Sequence, residues 1–473
     1  MPNQKINLVF DQGGHATRAI LFDNDSNIVN HFECPITTHQ SGDLIVEHDA
    51  QELIASFFKI MKQVHSALGE NFKHIENVGM ATQRSSFVCW DKITGEALTQ
   101  VISWQDRRTV NELEKYQLHQ DEIHQKTGLY LNPHYGASKM RWCLDNIDLV
   151  KHAKTEDRLC IGPLSSFVLF HLLIDKPFVV DPANASRTLM MNYKSLQWDE
   201  TLCQLFAISQ ALLPEIKPTL SNFGVFEWQG HKMPMTLCTG DQSAAIYSAG
   251  KPKANKIYVN VGTGAFVQNI SDDFPKISGS KLLASVLCTT DTSRTYALEG
   301  TVNGAGRALQ WLANELNVQN YEQNIDSWCE QFSDPTLFLN GISGVGSPFW
   351  IADFNSRFVD DVPSEEKFVA VLESIVFLIF VNIKAMIAQR TNINLISITG
   401  GVAKSNALCQ KLADLSGFSI ERDEQSEATA KGVQYLMSEQ KASIEFHKTT
   451  FLPIENHLIH RRFDRWYEYM TLN

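Results

Sequence analysis

The chain has 473 residues, of which 44% are hydrophobic and 20% are charged, a composition typical of globular proteins with a large buried core. Lys and Arg number 41 and Asp and Glu number 53, which gives a formal net charge of −12. An acidic chain without a basic run lacks the electrostatic features of a nucleic-acid-binding protein, so no nucleic acid partner is expected. At roughly 150 residues per domain, the length predicts two or three domains.

Membrane and targeting segments are not evident in the sequence. The N-terminal stretch has no apolar core of signal-peptide length. The most apolar run, residues 375–381, is far shorter than the ~20 residues that cross a bilayer. Nine cysteines at scattered spacings, without a Cys-x-x-Cys motif, favour neither a zinc site nor a disulfide framework. We therefore expect a cytoplasmic protein without a membrane partner.

The first predicted elements are three short antiparallel strands. Residues 6–10 and 19–22 are apolar and flank a turn at 11–14, which is typical of a hairpin. Residues 28–32 follow as a third strand.

A helix is predicted to begin after Asp49. Glu52 lies three residues later, which fits a capping-box pattern, and apolar residues continue at helical spacing to Leu68. A further strand is predicted at residues 78–81, and residues 87–90 and 101–104, which flank a turn at 91–95, are predicted to form another hairpin.

Near residue 250 the pattern starts again. The breaker-rich stretch 249–253 predicts a boundary between domains at 1–249 and 250–473. Residues 256–261, 262–264 and 265–267 then repeat the outline of residues 6–22: strand, glycine turn, strand. The pattern alone leaves open whether this is an internal repeat or two unrelated hairpins. Helices are predicted near 305–316 and 365–388, a strand at 395–399, and a helix after the glycines at 400–401.

Three glycine turns, at residues 11–14, 262–264 and 400–401, adjoin apolar runs. Such turns let backbone N–H groups converge on an anion, which suggests a phosphate cleft between the two halves. A single glycine turn is usually no more than a turn. The sequence has no Walker-type loop, and Gly304 and Gly306 lack the preceding strand and the third glycine of a dinucleotide-binding motif.

Two aspartates stand beside predicted strands. Asp11 could hold a Mg²⁺ ion through water; the alternative is an aspartate that hydrogen-bonds its own turn. Asp241 follows a short apolar run at 235–237 and could accept a proton from a substrate hydroxyl. The alternative for Asp241 is an ordinary turn residue.

Ordered motifs across nearly the whole chain resemble the FGGY family of carbohydrate kinases, and within it the glycerol kinases. The matching segments are residues 10–13 with 18–19, 82–84, 90–91, 94–95, 104–109, 184–188, 240–242, 262–264, 297–300, 305–306 with 310–312, 344–348 with 350, 372–375, 400–401 and 427–432.

The resemblance implies an α/β fold of two ribonuclease H-like domains of the actin-like ATPase type, with the active-site cleft between them. It implies ATP and Mg²⁺ as cofactors and transfer of the γ-phosphoryl group to a hydroxyl of a small polyol or sugar. A homodimer is the simplest assembly that it implies.

Site residues follow from the same resemblance. Asp241 matches the catalytic base, and Asp11 with Asp241 matches the carboxylates near the metal. The nucleotide-side matches are Gly13, Gly14, His15, Thr17, Arg18, Gly262, Thr263, Gly264, Gly306, Gln310, Gly401, Ser405 and Asn406. The acceptor-side matches are Gln83, Arg84, Trp104, His134, Asp241, Gln242 and Phe266.

The first glycine turn departs from the glycerol kinase pattern. Glycerol kinases have Thr-Thr-Ser-Ser before the arginine, whereas this chain has Gly14-His-Ala-Thr17. Two hydroxyls that would face phosphate are replaced, and His15 offers a ring donor. We expect His15 to contact phosphate; the alternative is a packing or surface histidine.

The acceptor side departs as well. Ser85 follows Arg84 where glycerol kinases have Glu, and His134 stands where they have Tyr. A carboxylate can accept hydrogen bonds from two polyol hydroxyls, and one serine hydroxyl cannot replace that capacity. Losing a charge-assisted bond to a buried hydroxyl costs about 1.5–3 kcal/mol. The sequence therefore predicts a larger sugar or polyol as the acceptor substrate no less than it predicts glycerol.

Two other functions remain open. The first is a pentulose or ketose kinase of the same family, acting on xylulose or ribulose. The second is a non-catalytic nucleotide or sugar sensor. The altered turn at 14–17 supports the sensor, whereas the intact Asp11 and Asp241 argue against it.

Overall fold

The structure is a computed structural model that describes residues 5–277, 279–351, 353–389, 392–423, 427–438 and 448–471. Its strands, in chain order, are β1 Ile6–Gln12, β2 Ala16–Phe22, β3 Ile28–Pro35, β4 His39–Ser41, β5 Ile45–His48, β6 Ile75–Thr82, β7 Phe87–Asp91, β8 Val101–Ile102, β9 Leu159–Pro163, β10 Val179–Val180, β11 Met191–Asn192, β12 Gln197–Trp198, β13 Glu215–Ile216, β14 Leu220–Trp228, β15 His231–Gly240, β16 Lys256–Val261, β17 Ala265–Ser271, β18 Leu283–Thr289, β19 Arg294–Val302, β20 Phe338–Leu339, β21 Arg357–Phe358, β22 Leu395–Thr399, β23 Ser419–Asp423 and β24 Lys448–Phe451.

The α-helices pack on these sheets. They are α1 Ala50–Leu68, α2 Gln120–Thr127, α3 Gly136–Asn146, α4 Asp148–Thr155, α5 Leu164–Leu172, α6 Pro182–Ala185, α7 Glu200–Leu205, α8 Asp241–Ala245, α9 Gly306–Leu316, α10 Tyr321–Gln331, α11 Ser364–Ile387, α12 Asn406–Ser416, α13 Ala428–Met437 and α14 His457–Thr471.

The first large sheet has six strands in the order β14-β15-β6-β1-β2-β3. β1 pairs antiparallel with β2, and β2 with β3, which confirms the predicted three-stranded start. On the other side of β1 lies β6, parallel to it, and β15 lies parallel to β6. Because β1, β6 and β15 run in one direction, their carboxyl ends meet at one edge of the sheet.

The second large sheet has seven strands in the order β18-β19-β17-β16-β22-β23-β24. β16 pairs antiparallel with β17 and β17 with β19, whereas β22 and β23 continue parallel to β16. Three antiparallel strands followed by two parallel ones therefore occur in both sheets, as β3-β2-β1-β6-β15 and as β19-β17-β16-β22-β23. This confirms the repeat of architecture and the two ribonuclease H-like domains that the resemblance implies.

A smaller third sheet adds to the first half of the chain. It has five strands in the order β4-β5-β8-β7-β9, and α3, α4 and α5 pack on β7 and β9. The predicted hairpin between residues 87 and 104 is present, because β7 and β8 pair antiparallel with Phe87 opposite Ile102.

Helix α1 begins with only half of the predicted capping box. The Asp49 carboxylate accepts a hydrogen bond from the Glu52 N–H at 2.7 Å, as expected for an N-cap. The Glu52 carboxylate instead accepts from the backbone and hydroxyl of Thr37, on the chain that leads into the helix. The reciprocal bond is lost because Glu52 ties the preceding loop to the helix.

Helix α11, Ser364–Ile387, is the apolar centre of the second half. By length and composition it could cross a membrane, but 83% of its most apolar window is buried inside the protein. The apolar run at 375–381 thus belongs to a core helix packed against other helices and strands.

Helix α13 comes late in the chain but packs on the first sheet. It contacts β1, β6 and α8. Gly432 approaches α8 so closely that a Cβ atom there would lie 1.8 Å from the Ala244 carbonyl oxygen. Gln434 accepts a hydrogen bond from Asn7 Nδ2 and donates one to Ser26 Oγ, both at 3.1 Å. The two halves therefore share a packed interface beside the site.

Candidate active site

The carboxyl ends of β1, β6 and β15 bring together the predicted residues of the first half. Gln12 of β1 and Gly240 of β15 are both paired with Thr82, the last residue of β6. Asp11, Arg84 and Asp241 therefore stand at one sheet edge, although they are far apart in the sequence. Strand ends at one edge of an α/β sheet are a common place for ligand sites.

Asp241 is the first residue of α8 and lies directly after β15. Its Oδ1 accepts a hydrogen bond from the Gln242 N–H at 2.7 Å and lies 3.8 Å from Arg84 Nε. Burial raises the pKa of the Asp241 carboxyl, and the charges of Arg84 and Arg187 and the Gln242 N–H oppose that rise. A raised pKa makes the carboxylate a better proton acceptor.

Asp11 shares this electrostatic environment. Burial first, and then the nearby carboxylates of Asp241 and Glu427, raise the pKa of its carboxyl to about 7 against the opposing charge of Arg18. Asp11 and Asp241 thus interact within one site. Repulsion between these carboxylates would be relieved by a bound cation.

Arg18 lies among three carboxylates. Its Nε is 2.8 Å from Glu33 Oε2, and its Nη1 is 3.7 Å from Asp11 Oδ2 and 4.0 Å from Glu427 Oε2. Glu427 immediately precedes α13, so a residue of the second half reaches the first glycine turn. No role for Glu427 was predicted from the sequence, where its only signal was the family motif at 427–432.

The first glycine turn joins β1 to β2. It is closed by a 3.0 Å bond from the Gly13 N–H to the Ala16 carbonyl, and a Cβ on Gly14 would meet no atom within 4 Å. His15 is exposed beside this space. In contrast to the exposed His15, Thr17 has a buried hydroxyl, which lies 2.6 Å from Ser56 Oγ of α1. The Thr17 hydroxyl therefore faces the domain interior.

Residues 83–86 form the loop after β6. Gln83 Nε2 lies 3.3 Å from the Gly13 carbonyl, and Gln83 Oε1 accepts a bond from Ser86 Oγ. Arg84 Nη1 and Ser85 Oγ, in contrast, are buried without a hydrogen-bond partner. Buried polar atoms are normally paired, so these two are candidates for contact with a ligand.

Trp104 and His134 form an aromatic wall near Arg84. Their ring centroids are 5.4 Å apart at 65°, and His134 is followed by the buried Tyr135. Burial, together with the charges of Lys139, Arg187 and Arg84, lowers the pKa of His134 well below its usual value. The ring is therefore neutral and offers one donor and one acceptor nitrogen.

The glycines of the second half also converge. The Gly306 N–H at the start of α9 donates to the Gly262 carbonyl at 2.9 Å, and the Arg307 N–H donates to Thr263 at 3.0 Å. Gly400, with φ +105°, lies where a Cβ would be 2.4 Å from the Val261 carbonyl oxygen. The turn 262–264, Gly306 and the pair 400–401 are thus one continuous backbone surface.

The other residues that were predicted to contact the nucleotide form hydrogen bonds within the protein. Gln310 Nε2 donates to Asn314 at 3.0 Å on α9. Ser405 caps α12 and donates to Asp326 at 2.5 Å, while the Asn406 side chain accepts from Arg422 at 2.9 Å.

Phe266 is placed by strand register. It lies on β17 two residues before Gln268, so both side chains share one face of the sheet. Gln268 donates to Glu299, which pairs with Arg187 of the first half. Phe266 therefore lies on the face of the second sheet that meets Arg187 of the first half.

The two-domain fold and the carboxylates at its strand ends define the architecture of an ATP-dependent sugar or polyol kinase. Models of the FGGY family of carbohydrate kinases match the chain twice, its N-terminal domain over residues 6–247 and its C-terminal domain over residues 257–438. The chain belongs to the FGGY family of carbohydrate kinases, and it is a phosphotransferase that acts on an alcohol group.

Related sequences and structures agree with this assignment. The chain is 31% identical to a glycerol kinase of Staphylococcus haemolyticus, with 92% of this chain and 89% of that protein covered. It is 32% identical to a glycerol kinase of Rippkaea orientalis at the same coverage. The fold matches Plasmodium falciparum glycerol kinase with ADP at a TM-score of 0.86 and 23% identity, covering 99% and 98% of the two chains. It matches xylulose kinase of Lactobacillus acidophilus at 0.83 and 20% identity, covering 99% and 97%.

Proposed function

We propose that Asp241 is the general base of this kinase and that Asp11, Arg18 and the glycine turns receive the triphosphate. The observation that supports this most directly is the common sheet edge of Asp11, Arg84 and Asp241, where the two carboxylates interact. Phosphoryl transfer requires in-line positioning, neutralisation of phosphoryl charge and exclusion of water rather than covalent catalysis.

Each group then has one task. Asp241 accepts the proton of the attacking hydroxyl as its oxygen bonds to the γ-phosphorus of ATP and the bond from that phosphorus to the bridging oxygen breaks, releasing ADP. Arg18 and the N–H groups of residues 262–264 neutralise charge on the phosphoryl oxygens. Contact between the two domains excludes water that would otherwise hydrolyse ATP.

Mg²⁺ fits this site through Asp11. Among the described residues, no three His, Cys, Asp or Glu side chains are grouped as a metal site. Mg²⁺ is, however, commonly held by one or two carboxylates together with water and phosphate oxygens. Asp11, with Asp241 nearby, offers those carboxylates, and the bound ion would neutralise charge on the phosphates.

The acceptor is a small sugar or polyol that contacts Arg84, Trp104 and His134. The unpartnered Arg84 Nη1 and Ser85 Oγ are suited to acceptor hydroxyls. A xylulose or ribulose kinase is the second candidate, supported by Ser85 and His134 at positions where glycerol kinases have Glu and Tyr.

A substrate panel tests the function. Purified protein with ATP and Mg²⁺ is given glycerol, erythritol, ribitol, xylitol, xylulose and ribulose, and ADP release and product mass are measured. We expect ADP release that depends on at least one acceptor, with a product one phosphoryl group heavier. Nucleotide binding without ADP release from any acceptor would instead favour a sensor.

We place the protein in the cytoplasm because its nine cysteines are free thiols, eight of them buried. A homodimer is the expected assembly, and sedimentation velocity would test it.

A further inference from the structure

Arg187 and Glu299 form a buried ion pair that joins the two halves of the chain. Arg187 Nη2 lies 3.3 Å from both Glu299 carboxylate oxygens and 2.6 Å from Ser285 Oγ. The two side chains are 4% and 0% exposed. Arg187 follows α6 of the first half, whereas Ser285 and Glu299 lie on β18 and β19 of the second sheet. The pair is thus an interdomain contact.

Glu299 is held firmly in the second sheet. Its Oε2 accepts from Gln268 Nε2 at 2.9 Å and from Ser285 Oγ at 3.1 Å. Gln268 stands directly opposite Glu299 in the ladder between β17 and β19, on the face that also carries Phe266. The sheet face that fixes Arg187 is therefore the one that carries an expected acceptor residue.

On its other side, the segment around Arg187 contacts residues beside the aromatic wall of Trp104 and His134. Asn184 accepts a 3.4 Å hydrogen bond from Thr82, two residues before Arg84. Thr188 Cα lies 3.4 Å from the position that a Cβ on Gly136 would occupy. Arg187 also interacts electrostatically with Tyr135, the buried residue next to His134. Arg187 and its neighbours therefore lie between the aromatic wall and the second sheet.

Stability alone does not account for this arrangement. Removing two charges from water is costly, and replacing a buried ion pair by packed apolar residues is often neutral or stabilising. A rigid, multiply bonded guanidinium does, however, hold several partners in one geometry.

We propose that Arg187 is a positioning residue of the acceptor pocket, fixed by Glu299 and Ser285 across the domain interface. The guanidinium anchors residues 182–188, whose Thr188 backbone packs against Gly136, and so fixes the adjoining Tyr135 and the aromatic wall that contains His134. The acceptor pocket is then complete only when the domains are in contact, whereas the nucleotide turns do not depend on Arg187. This inference rests on the proposed function, because it assumes the same acceptor site.

The test is the Michaelis constant for each substrate in Glu299→Gln and Arg187→Lys. Each change should raise the KM for the best acceptor about tenfold, as expected for a lost charge-assisted hydrogen bond, and should leave the KM for ATP within about twofold. Ser285→Ala removes the hydrogen bonds from Arg187 and to Glu299 but leaves the ion pair itself in place, and should raise the acceptor KM by about threefold. It serves as the readout if Glu299→Gln does not fold.

Glu373→Gln is the matched control. Glu373 and Arg462 form another buried pair, with Arg462 Nε 2.9 Å from Glu373 Oε2, entirely within the second half. Its loss should lower the thermal unfolding temperature without changing the acceptor KM. A merely structural role for Glu299 would give the same result as Glu373→Gln and would overturn the proposal.

A double-mutant cycle adds a second readout. Because Arg187→Lys and Glu299→Gln disrupt one interaction, the double variant should raise the acceptor KM no more than the larger single effect. If the acceptor KM of the double variant rose by the product of the two single fold-changes, direct coupling between Arg187 and Glu299 would be contradicted. Absence of ADP release by the wild-type protein with every acceptor would instead contradict the proposed function.

Discussion

Asp11 and Asp241 lie at the same edge of the first sheet, at the ends of β1 and β15, which are separated by β6. Each carboxylate lies near a different arginine. Arg18 Nη1 lies 3.7 Å from Asp11, and Arg84 Nε lies 3.8 Å from Asp241. The first pair adjoins the glycine turn and the second adjoins the aromatic wall of Trp104 and His134. Under the proposed function, this arrangement separates a phosphate side from an acceptor side within a single site.

The first prediction concerns the metal. Asp11→Asn removes the carboxylate expected to hold Mg²⁺, so the Mg²⁺ concentration for half-maximal ADP release should rise about tenfold or more. The measurement is a Mg²⁺ titration of the acceptor-dependent rate. Asp145→Asn, at an exposed ion pair on α3, is the control and should leave the titration unchanged. An unchanged Mg²⁺ requirement in Asp11→Asn would remove Asp11 from the metal site.

The second prediction concerns the nucleotide turns. A Cβ on Gly306 would lie 2.7 Å from the Gly262 carbonyl oxygen and 3.1 Å from Val402 Cγ2. Gly306→Ala should therefore push α9 away from the 262–264 turn, at a cost of about 1–3 kcal/mol, and raise the KM for ATP about tenfold. The acceptor KM should change much less.

Gly401→Ala is the structural control for that experiment, because a Cβ there would meet no atom within 4 Å. Its thermal unfolding temperature should equal that of the wild-type protein, whereas Gly306→Ala should unfold at a lower temperature. Equal unfolding temperatures in all three proteins would show that the predicted clash is absent.

The third prediction concerns pH and stability. Asp181 is buried, and burial raises its pKa from the usual 3.8 to about 7, against hydrogen bonds from Asn184 and the Ala183 N–H. The folded protein thus binds this proton more tightly than the unfolded chain. The contribution to stability is complete below pH 3.8 and is lost as the pH rises towards 7.

Asp181→Asn keeps an oxygen for capping α6 but does not titrate. Between pH 4.5 and 7.5, the free energy of unfolding in urea should therefore fall less in the variant than in the wild-type protein. The difference between the two proteins should be about 1.4 kcal/mol for each unit of pKa shift. Parallel pH dependences in the two proteins would contradict a raised pKa for Asp181.

The sequence predicted the local elements well because their signals are local. The hairpins β1–β2 and β16–β17 each join two apolar runs by a short glycine turn, and the strand at 395–399 is a short apolar run before two glycines. Asp11 and Asp241 could be named in advance because they follow such runs.

These local patterns could not predict contacts between distant segments of the chain. Glu427 reaches Arg18 only because α13 packs on α8, where Gly432 permits the close approach. The pairing of Arg187 with Glu299 depends on how two sheets meet, which no periodicity encodes. Thr17 was expected at the nucleotide, whereas its hydroxyl is turned inwards to Ser56 by the packing of α1 on β2.

The most direct test of the central claim is phosphoryl transfer by Asp241→Asn. With the best acceptor and saturating ATP and Mg²⁺, loss of the base should lower the rate of product formation by about 10²–10⁴-fold. Calorimetry should show nucleotide affinity close to that of the wild-type protein, because the phosphate turns are untouched. Turnover by Asp241→Asn near the wild-type rate would contradict the assignment of Asp241 as the proton acceptor.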